Sequence, residues 1–282
     1  MHGERAVDLH THSTASDGLL TPTQLMQFAA EERLGGIGLP DHDTTAGLAE
    51  AETEASRLGL IVVPGVELSS TFHGHEAHML GYFIDPGIED FQDALAVFVQ
   101  QRAERIERMV ERLRGLGIPV EIDDVLAKAG TGTVGRPHLA HVLIEMGAAN
   151  DIPDAFDKYL AIGRPAYVPR PHIRPEEAVR MIRGAGGAPV LAHPYSTGNI
   201  SGILERLVPA GLAGMEVWYG EYSDDRRHEL REYAVDAGLI PTGGSDFHGP
   251  NFKPGRDLGG PPVPWETIER LHDASESIRR TG

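Results

Sequence analysis

Segments typical of strands alternate with segments typical of helices along the chain, and this alternation limits the possible folds more than any other feature. Val7, Leu9 and Thr11 alternate with polar residues, as in a half-buried strand. The next stretch, "LTPTQLMQFAAEERLGG", predicts a helix with Thr21 as its N-cap and Gln24 completing a capping box. Repeats of strand and helix predict a parallel sheet in an α/β fold.

Seven strand-like segments can be recognised in total. After the first come "IGLPDHD", "LIVVPGVELSS" and "AHMLGYF", and three more lie at 188–194, 214–220 and 239–249. Between the two groups, apolar residues recur at helical spacing from residue 89, and helical sequence continues to about residue 159. Such an insertion is too long for an ordinary barrel loop. We therefore predict a βα barrel formed by residues 1–84 and 170–282, interrupted by a small helical subdomain at 85–169.

Charge and cysteine content restrict the function classes. The chain has no cysteine, so any bound metal must be held by nitrogen and oxygen. Lys and Arg number 25 against 42 Asp and Glu, and the resulting net charge of −17 argues against binding long nucleic acids. No stretch is apolar and long enough to cross a membrane, and no apolar signal core lies near residue 1. We therefore expect a cytoplasmic protein with no membrane partner.

Histidines and carboxylates cluster at the carboxyl ends of the predicted strands. In a βα barrel these ends share one face, and that face carries the chemistry. Any one of these residues alone is more simply interpreted as a buried histidine or a surface carboxylate. Six strand ends with the same feature instead indicate a metal site. The nine candidate ligands are His10, His12, Asp17, His42, Glu67, His78, His193, Asp246 and His248.

The donor set limits the metal. Imidazole and carboxylate without sulfur suit Mn²⁺, Zn²⁺ or Fe²⁺ alike, and of these we expect Mn²⁺. Nine donors are enough for two or three divalent ions that share bridging groups. Since residues two apart on a strand point to the same side, His10 and His12 are expected to bind one ion together.

Six stretches together resemble the PHP (polymerase and histidinol phosphatase) family, and in particular its stand-alone TrpH-like bacterial members. They are "DLHTHSTASDG", "PDHDT", "GVELSS", "HEAHMLGY", "LAHP" and "GSDFHG". The resemblance covers nearly the whole chain. It implies a distorted (β/α)7 barrel with a trinuclear centre that hydrolyses phosphoesters, with metal-bound hydroxide as nucleophile and no catalytic protein side chain. It also implies that His10, His12, Glu67 and Asp246 hold one metal, Asp17, His42 and His248 a second, and His78 and His193 a third, with Glu67 bridging.

A second anion site is predicted inside the insertion. Arg136 and His138 stand at the start of a helix, where a guanidinium and free backbone N–H groups favour phosphate. The resemblance implies that this pair binds a second phosphate, which favours nucleoside 3′,5′-bisphosphates as substrates, with 5′-phosphorylated RNA ends as a further class. Asp43, like Asp41, is expected to contact substrate or to orient an imidazole.

Other basic residues are less specific. The candidates where the chain returns to the barrel are Arg164, Arg170, His172 and Arg174, which a basic surface loop would explain equally well. His73 and His75 are excluded from the metal centre, because His75 and His78 would face opposite sides of a strand.

Three other functions are compatible with a metal centre in this barrel. Histidinol phosphate or a cyclic phosphate would replace the bisphosphate as substrate. An amidohydrolase is disfavoured, because no lysine ends a predicted barrel strand. A metal-binding regulatory module would bind the ions without turnover, so metal content measured together with a phosphatase assay separates these classes.

Overall fold

The computed structural model describes residues 6–169 and 173–281, and a seven-stranded sheet in chain order forms within them. Its strands are β1 (Val7–Asp8), β2 (Gly36–Leu39), β3 (Ile61–Phe72), β4 (His75–Tyr82), β5 (Ala188–Leu191), β6 (Gly214–Tyr219) and β7 (Ile240–Gly244). The first and last strands meet, since Leu9 N donates to Gly243 O at 3.3 Å and Thr11 forms a parallel bridge to Phe247. The sheet is therefore a nearly closed barrel, which confirms the predicted α/β barrel.

One strand departs from the parallel arrangement. β4 is antiparallel to both β3 and β5, whereas β1, β2 and β3, and likewise β5, β6 and β7, are parallel to their neighbours. The cause is the turn at His73 and Gly74, which have φ values of 48° and 84°. Two successive residues with positive φ reverse the chain at once, so no crossover helix separates the strands. β4 is thus the antiparallel member of an otherwise parallel sheet.

Helices pack against the outside of the barrel. They are α1 (Pro22–Glu31), α2 (Leu48–Leu58), α7 (Pro175–Gly184), α8 (Ile200–Ala210), α9 (Asp224–Asp236) and α10 (Glu266–Thr281). α1 begins with the predicted capping box, in which Thr21 N donates to the Gln24 side chain at 3.0 Å. Within the described ranges, no helix combines the length and apolar character needed to span a bilayer.

The barrel interior is apolar below the mouth. Val63, Leu80 and Tyr82 belong to one fully buried cluster. Side chains alternate between the two faces of a strand. Glu67, four residues after Val63, and His78, two before Leu80, therefore share the inner face with this cluster. This apolar cluster thus fills the inside of the barrel, and the polar groups lie beyond it at one end.

Asp8 ties the first strand to the last part of the barrel. Its carboxylate accepts hydrogen bonds from Ser245 N at 3.0 Å, Ser245 Oγ at 2.5 Å and Gly259 N at 2.8 Å. Burial raises the pKa of Asp8, although these hydrogen bonds act in the opposite direction. The closure of the barrel is thus held by a buried acidic group as well as by backbone pairing.

The insertion contains α3 (Glu89–Gly115), α4 (Ile122–Ala129), α5 (Arg136–Glu145), α6 (Ile152–Ala155) and a π-helical turn (Phe156–Leu160). Met109, Leu113 and Leu139 belong to a hydrophobic core of its own. The start of α3 belongs to the barrel instead, because Phe91 and Leu95 pack in the barrel's outer core. The division of the chain at 85 and 169 stays a prediction.

The insertion packs closely against the loop that follows β1. Thr133 N donates to Ala15 O at 2.9 Å. A Cβ atom at Gly132 would lie 2.1 Å from Thr14 O, and one at Gly135 would lie 3.0 Å from Asp17 Oδ2. Only glycine allows so close an approach of the two segments. The insertion therefore forms one wall above the barrel mouth.

Candidate metal centre

His10 and His12 lie just beyond β1, which ends at Asp8. The prediction that they belong to the strand was wrong, although their rings are neighbours with centroids 5.2 Å apart. Both side chains are fully buried. Their Nε2 atoms lie 3.2 Å and 3.3 Å from the same oxygen of Glu67. The backbone after β1 thus places both rings on the same side, as the alternating pattern predicts.

Glu67 is the hub of the centre. Besides the two nitrogens above, its Oε2 lies 3.2 Å from His42 Nδ1. Its Oε1 lies 2.6 Å from His78 Nδ1 and 3.3 Å from His193 Nε2. One carboxylate, 1% exposed, therefore faces five imidazoles that come from four different parts of the sheet. Such a group is suited to bridge metal ions.

Asp17 and His248 form a second cluster with His42. Asp17 Oδ1 lies 3.4 Å from His248 Nε2, and Asp17 Oδ2 lies 3.9 Å from His42 Nε2. The ring of His12 stacks on that of His248 with centroids 4.2 Å apart. One donor atom from each of these four residues falls within 4.8 Å of the others.

Asp246 presents a single oxygen to the centre. Its Oδ1 lies 3.2 Å from His12 Nε2 and 3.5 Å from His10 Nε2. Its Oδ2 accepts a hydrogen bond from Tyr219 OH at 2.8 Å and pairs with Arg256 Nη1 at 2.7 Å. Because Tyr219 and Arg256 occupy one oxygen, the other is left to bind a metal.

The residues fit a group of divalent ions. Both ring nitrogens of His12 and Nδ1 of His42 are buried without a hydrogen-bond partner among the described residues. Carboxylate oxygens lie within 3.3 Å of two of these nitrogens, yet the atoms are not aligned for hydrogen bonding. Buried polar atoms are normally satisfied, so these point to a missing partner. Buried nitrogens without a partner that lie beside ionised carboxylates fit a metal-binding site.

The charges in the centre favour cations. Burial would raise the pKa of Glu67, but His42 and His78 hold it well below its usual value. Burial would likewise lower the pKa of His12, yet Asp246 and Glu67 raise it to about 9. Burial keeps the pKa of His42 low. The carboxylates are thus ionised, and an incoming metal releases protons from imidazoles that hold them.

Three residues of the site have strained backbones. The φ values are 55° for Asp43, 27° for His193 and 55° for Asp246. A non-glycine residue in this region costs about 1–3 kcal/mol and persists only where the surroundings impose it. These backbone conformations reduce the stability of the fold, and they direct the three side chains toward the centre.

Glu216 was missed by sequence reasoning. It is fully buried on β6, and its Oε1 lies 2.9 Å from His10 Nδ1 while its Oε2 accepts from His193 N at 2.7 Å. Ser196 Oγ lies 3.0 Å from His193 Nδ1. These partners orient both rings so that Nε2 faces the centre. The available signal was a lone charged residue inside the apolar strand "GMEVWYG".

Glu216→Gln should weaken metal binding about 10- to 100-fold, the usual effect of removing a partner of a metal ligand. An amide cannot accept from both His10 Nδ1 and His193 N, because one of its two polar atoms is an NH₂ donor. Metal affinity measured by competition with a chromogenic chelator checks this. Glu232→Gln, at a side chain 68% exposed, is the matched control. Equal affinity of Glu216→Gln and the control would contradict the positioning role.

The aspartates that flank His42 have other partners. Asp41 accepts from Ser13 N at 2.8 Å and from Ser16 Oγ at 2.5 Å, so it holds the loop after β1 rather than an imidazole. Asp43 pairs with Arg102 of α3, at 2.6 Å from Nε. Arg102 was not predicted, because one arginine in a charged amphipathic helix gives no local signal.

The predicted second anion site lies at the start of α5. Arg136 Nη2 pairs with both oxygens of Glu76 at 2.8 Å and 3.0 Å, and its guanidinium lies over the ring of Phe156. His138 is buried, and its Nδ1 accepts a hydrogen bond from Gly135 N at 3.0 Å. Burial lowers the pKa of His138. Arg136 is thus anchored to β4, the strand that carries His78.

The remaining basic candidates lie elsewhere. Arg164 pairs with Asp157, and Arg174 pairs with Glu177 at 2.6 Å; all four belong to partly or largely exposed ion pairs. Arg170 and His172 fall outside the described residues. His73 and His75 are exposed at the β3–β4 turn, consistent with their exclusion from the centre.

An α/β barrel with buried histidines and carboxylates at its mouth is an arrangement suited to metal-dependent hydrolysis. Residues 8–111 match the PHP domain. The 5′-3′ exoribonuclease Rnm of Salmonella typhimurium is 41% identical over 250 residues, which cover 86% of this chain and 85% of that protein. A 3′,5′-nucleoside bisphosphate phosphatase of Chromobacterium violaceum is 38% identical over 260 residues, 90% of each chain.

The fold agrees with these sequences. A solved structure from Bifidobacterium adolescentis, assigned as a metal-dependent phosphoesterase, superposes with a TM-score of 0.89 at 33% identity and 96% coverage of both chains. The chain belongs to the PHP family. It is a metal-dependent phosphoester hydrolase.

Proposed function

We propose that the protein hydrolyses the 3′-phosphate of nucleoside 3′,5′-bisphosphates and also acts on 5′-phosphorylated RNA ends in the 5′ to 3′ direction. The observation that carries this proposal is the pair of sites at one mouth: the buried centre around Glu67, and Arg136 anchored on the adjoining strand. The relatives with bisphosphate phosphatase and exoribonuclease activity support the same substrates.

We propose Mn²⁺ as the metal, with two or three ions bound. His10, His12, Glu67 and Asp246 would hold the first, Asp17, His42 and His248 the second, and His78 and His193 the third, with Glu67 bridging. Donor groupings within 4.8 Å support part of this division. His10, His12 and Glu67 form one, and Asp17, His42 and His248 form a second together with His12. The third joins His78 to His42 and Glu67, and neither His193 nor Asp246 belongs to a grouping among the described residues. A nitrogen and oxygen donor set suits Mn²⁺.

The chain's own residues prepare the site for hydrolysis. Bound metals would lower the pKa of water and offset charge on the phosphoryl group and the leaving oxygen. Glu67 and Asp246 supply negative charge that holds cations in place. Glu216 and Ser196 keep the rings of His10 and His193 oriented. In this proposal no protein side chain is the nucleophile, and Asp43 contacts the substrate or orients an imidazole while it pairs with Arg102.

The charge of the chain favours small substrates. A net charge of −17 repels long RNA held along its backbone, whereas a short end or a mononucleotide would be attracted to the centre once divalent ions are bound. We propose a cytoplasmic location, where nucleotides and RNA ends are formed.

A substrate panel tests the proposal. Metal-loaded protein would be assayed with nucleoside 3′,5′-bisphosphates, short 5′-phosphorylated RNAs, a cyclic phosphate and histidinol phosphate, each against a chelated sample. The bisphosphate should give the highest kcat/KM. Preference for histidinol phosphate or the cyclic phosphate would replace the proposed substrate, and stoichiometric metal without turnover of any compound would favour a regulatory module.

Arg136→Ala should reduce kcat/KM on a nucleoside 3′,5′-bisphosphate about 10- to 100-fold, since a charge-assisted contact to phosphate contributes roughly 1.5–3 kcal/mol. A substrate that carries only the scissile phosphate should lose far less, because Arg136 would hold the remote group. Arg164→Ala, in an exposed ion pair with Asp157, is the matched control. Equal losses on both substrates would mean that Arg136 has a structural role.

A further inference from the structure

Arg256 lies in the loop that follows β7 and reaches the edge of the metal centre. Its Nη1 pairs with Asp246 Oδ2 at 2.7 Å, and its Nη2 donates to Tyr219 OH at 2.9 Å. Its Nε donates to Glu221 Oε1 at 2.7 Å. Each of the three guanidinium nitrogens therefore binds a different residue, and the side chain is only 16% exposed.

These contacts fix the orientation of the Asp246 carboxylate. Tyr219 OH also donates to Oδ2, at 2.8 Å, so this oxygen accepts from two donors, as many as its two lone pairs allow. The other oxygen, Oδ1, lies 3.2 Å from His12 Nε2 and 3.5 Å from His10 Nε2. Rotation of the carboxylate would break both contacts to Oδ2. The group is therefore held with Oδ1 toward the other candidate ligands.

A largely buried cation beside a site for cations needs a balancing charge, because like charges repel strongly away from water. Glu221, in the loop after β6, supplies it. Besides the bond from Arg256, both of its oxygens lie 2.7 Å from Lys253 Nζ. Two carboxylates and two basic groups thus form a network without net charge. The effect of Arg256 on a bound metal is then expected to come from the geometry that it imposes on Asp246.

Close backbone packing sets the position of the loop that carries Arg256. A Cβ atom at Gly220 would lie 1.9 Å from Gly255 O, so the loops after β6 and β7 approach each other as closely as only glycine allows. Gly255, which directly precedes Arg256, has a φ of 83°. A few residues later, Gly259 N donates to Asp8 Oδ2 at 2.8 Å. The guanidinium is therefore presented by a loop that is fixed on both sides of it.

We propose that Arg256 is a positioning residue for the metal ion that Asp246 binds: it holds Asp246 so that Oδ1 is presented, and it thereby raises the affinity for that ion. This inference rests on the ligand role proposed for Asp246, and it does not depend on which phosphoester is the substrate. The planar guanidinium suits the task, because its nitrogens point in different directions. The single nitrogen of a lysine cannot bind Asp246, Tyr219 and Glu221 together.

Arg256→Lys tests the proposal, because it keeps the positive charge and removes the planar group. Lys253→Gln is the matched control: it removes a positive charge from the same Glu221 in the same loop and leaves the contacts of Asp246 in place. Tyr219→Phe, which removes one hydrogen bond to Oδ2, is a second variant should the first not fold. We would measure Mn²⁺ affinity by competition with a chromogenic chelator, in the wild-type and the Asp246→Asn background, and the thermal midpoint without metal.

We expect Arg256→Lys to weaken the binding of one Mn²⁺ ion about 10- to 100-fold, the usual effect of removing a partner of a metal ligand, and Tyr219→Phe to act in the same direction. Lys253→Gln should change the affinity less than twofold. In the Asp246→Asn background, Arg256→Lys should add less than a twofold loss, because a residue that acts through Asp246 has no effect once that ligand is removed.

Three results would overturn the proposal. The first is unchanged Mn²⁺ affinity of Arg256→Lys, or of Tyr219→Phe if only that variant folds. The second is an equal loss in both backgrounds, which would mean that Arg256 does not act through Asp246. The third is an equal loss for Lys253→Gln and Arg256→Lys, which would show that charge matters and orientation does not. No substrate is used, so a wrong choice of phosphoester would leave these measurements unaffected. Wild-type affinity of Asp246→Asn alone would instead refute the ligand role on which the inference rests.

Discussion

Glu67→Gln should reduce phosphoester hydrolysis by roughly 1,000-fold or more. The amide keeps the size of the side chain but removes the negative charge that faces five imidazoles within 3.3 Å. Metals contribute several kcal/mol of transition-state stabilisation, and each 1.4 kcal/mol corresponds to about tenfold in rate. Activity and metal content of the purified variant, measured together, check the prediction.

Other ligands provide a comparison. His10→Ala and Asp246→Ala should also lower activity, because each removes a candidate metal ligand. His10 faces Oε2 of Glu67, and Asp246 faces Nε2 of His12. Glu54→Gln, in a surface ion pair with Arg57, should retain full activity. Full activity of His10→Ala and Asp246→Ala would show that the cluster is not the catalytic centre.

Removing the metals should destabilise the protein by several kcal/mol. A ligand present at 100 times its Kd stabilises the folded state by about 2.7 kcal/mol per site, and two or three sites add to this effect. Without metals, the buried atoms His12 Nδ1, His12 Nε2 and His42 Nδ1 have no partner among the described residues. Thermal unfolding with and without EDTA checks the prediction, and re-addition of Mn²⁺ should restore the midpoint.

The Glu67→Gln variant is the control for this experiment. It should unfold at nearly the same temperature with and without EDTA, since it has already lost its metals. A chelator effect of equal size in wild type and variant would indicate that EDTA acts outside the centre, and no shift in wild type would contradict the prediction.

Most of the barrel could be predicted because its signals are local. The capping box at Thr21 and Gln24 and the alternation around each strand depend on neighbours in sequence. The reversed direction of β4 depends on turn geometry instead. His73 and Gly74 adopt positive φ together, and these dihedral angles set the direction of the strand that follows.

Most of the candidate ligands could be located from the sequence because they lie on a recognisable strand or close to its end, and Asp17 because it stands in the same polar stretch as His10 and His12. Their partners could not. Arg102 is buried only because the insertion docks on the loop after β1, through contacts such as Thr133 N to Ala15 O at 2.9 Å. Glu216 depends on the distance between β6 and β1, and Arg256 on the path of a loop after β7. These distances are set by tertiary packing and have no counterpart in local patterns.

The centre can be completed only when distant parts of the chain have come together. The candidate ligands extend from His10 to His248, and Asp8 binds backbone groups at Ser245 and Gly259. His10 and His12 therefore need Asp246 and the last strand, which lie more than two hundred residues later in the chain, to complete their surroundings. Contacts this distant in sequence form late in folding. Metal binding by the complete centre is consequently coupled to closure of the barrel between its first and last strands.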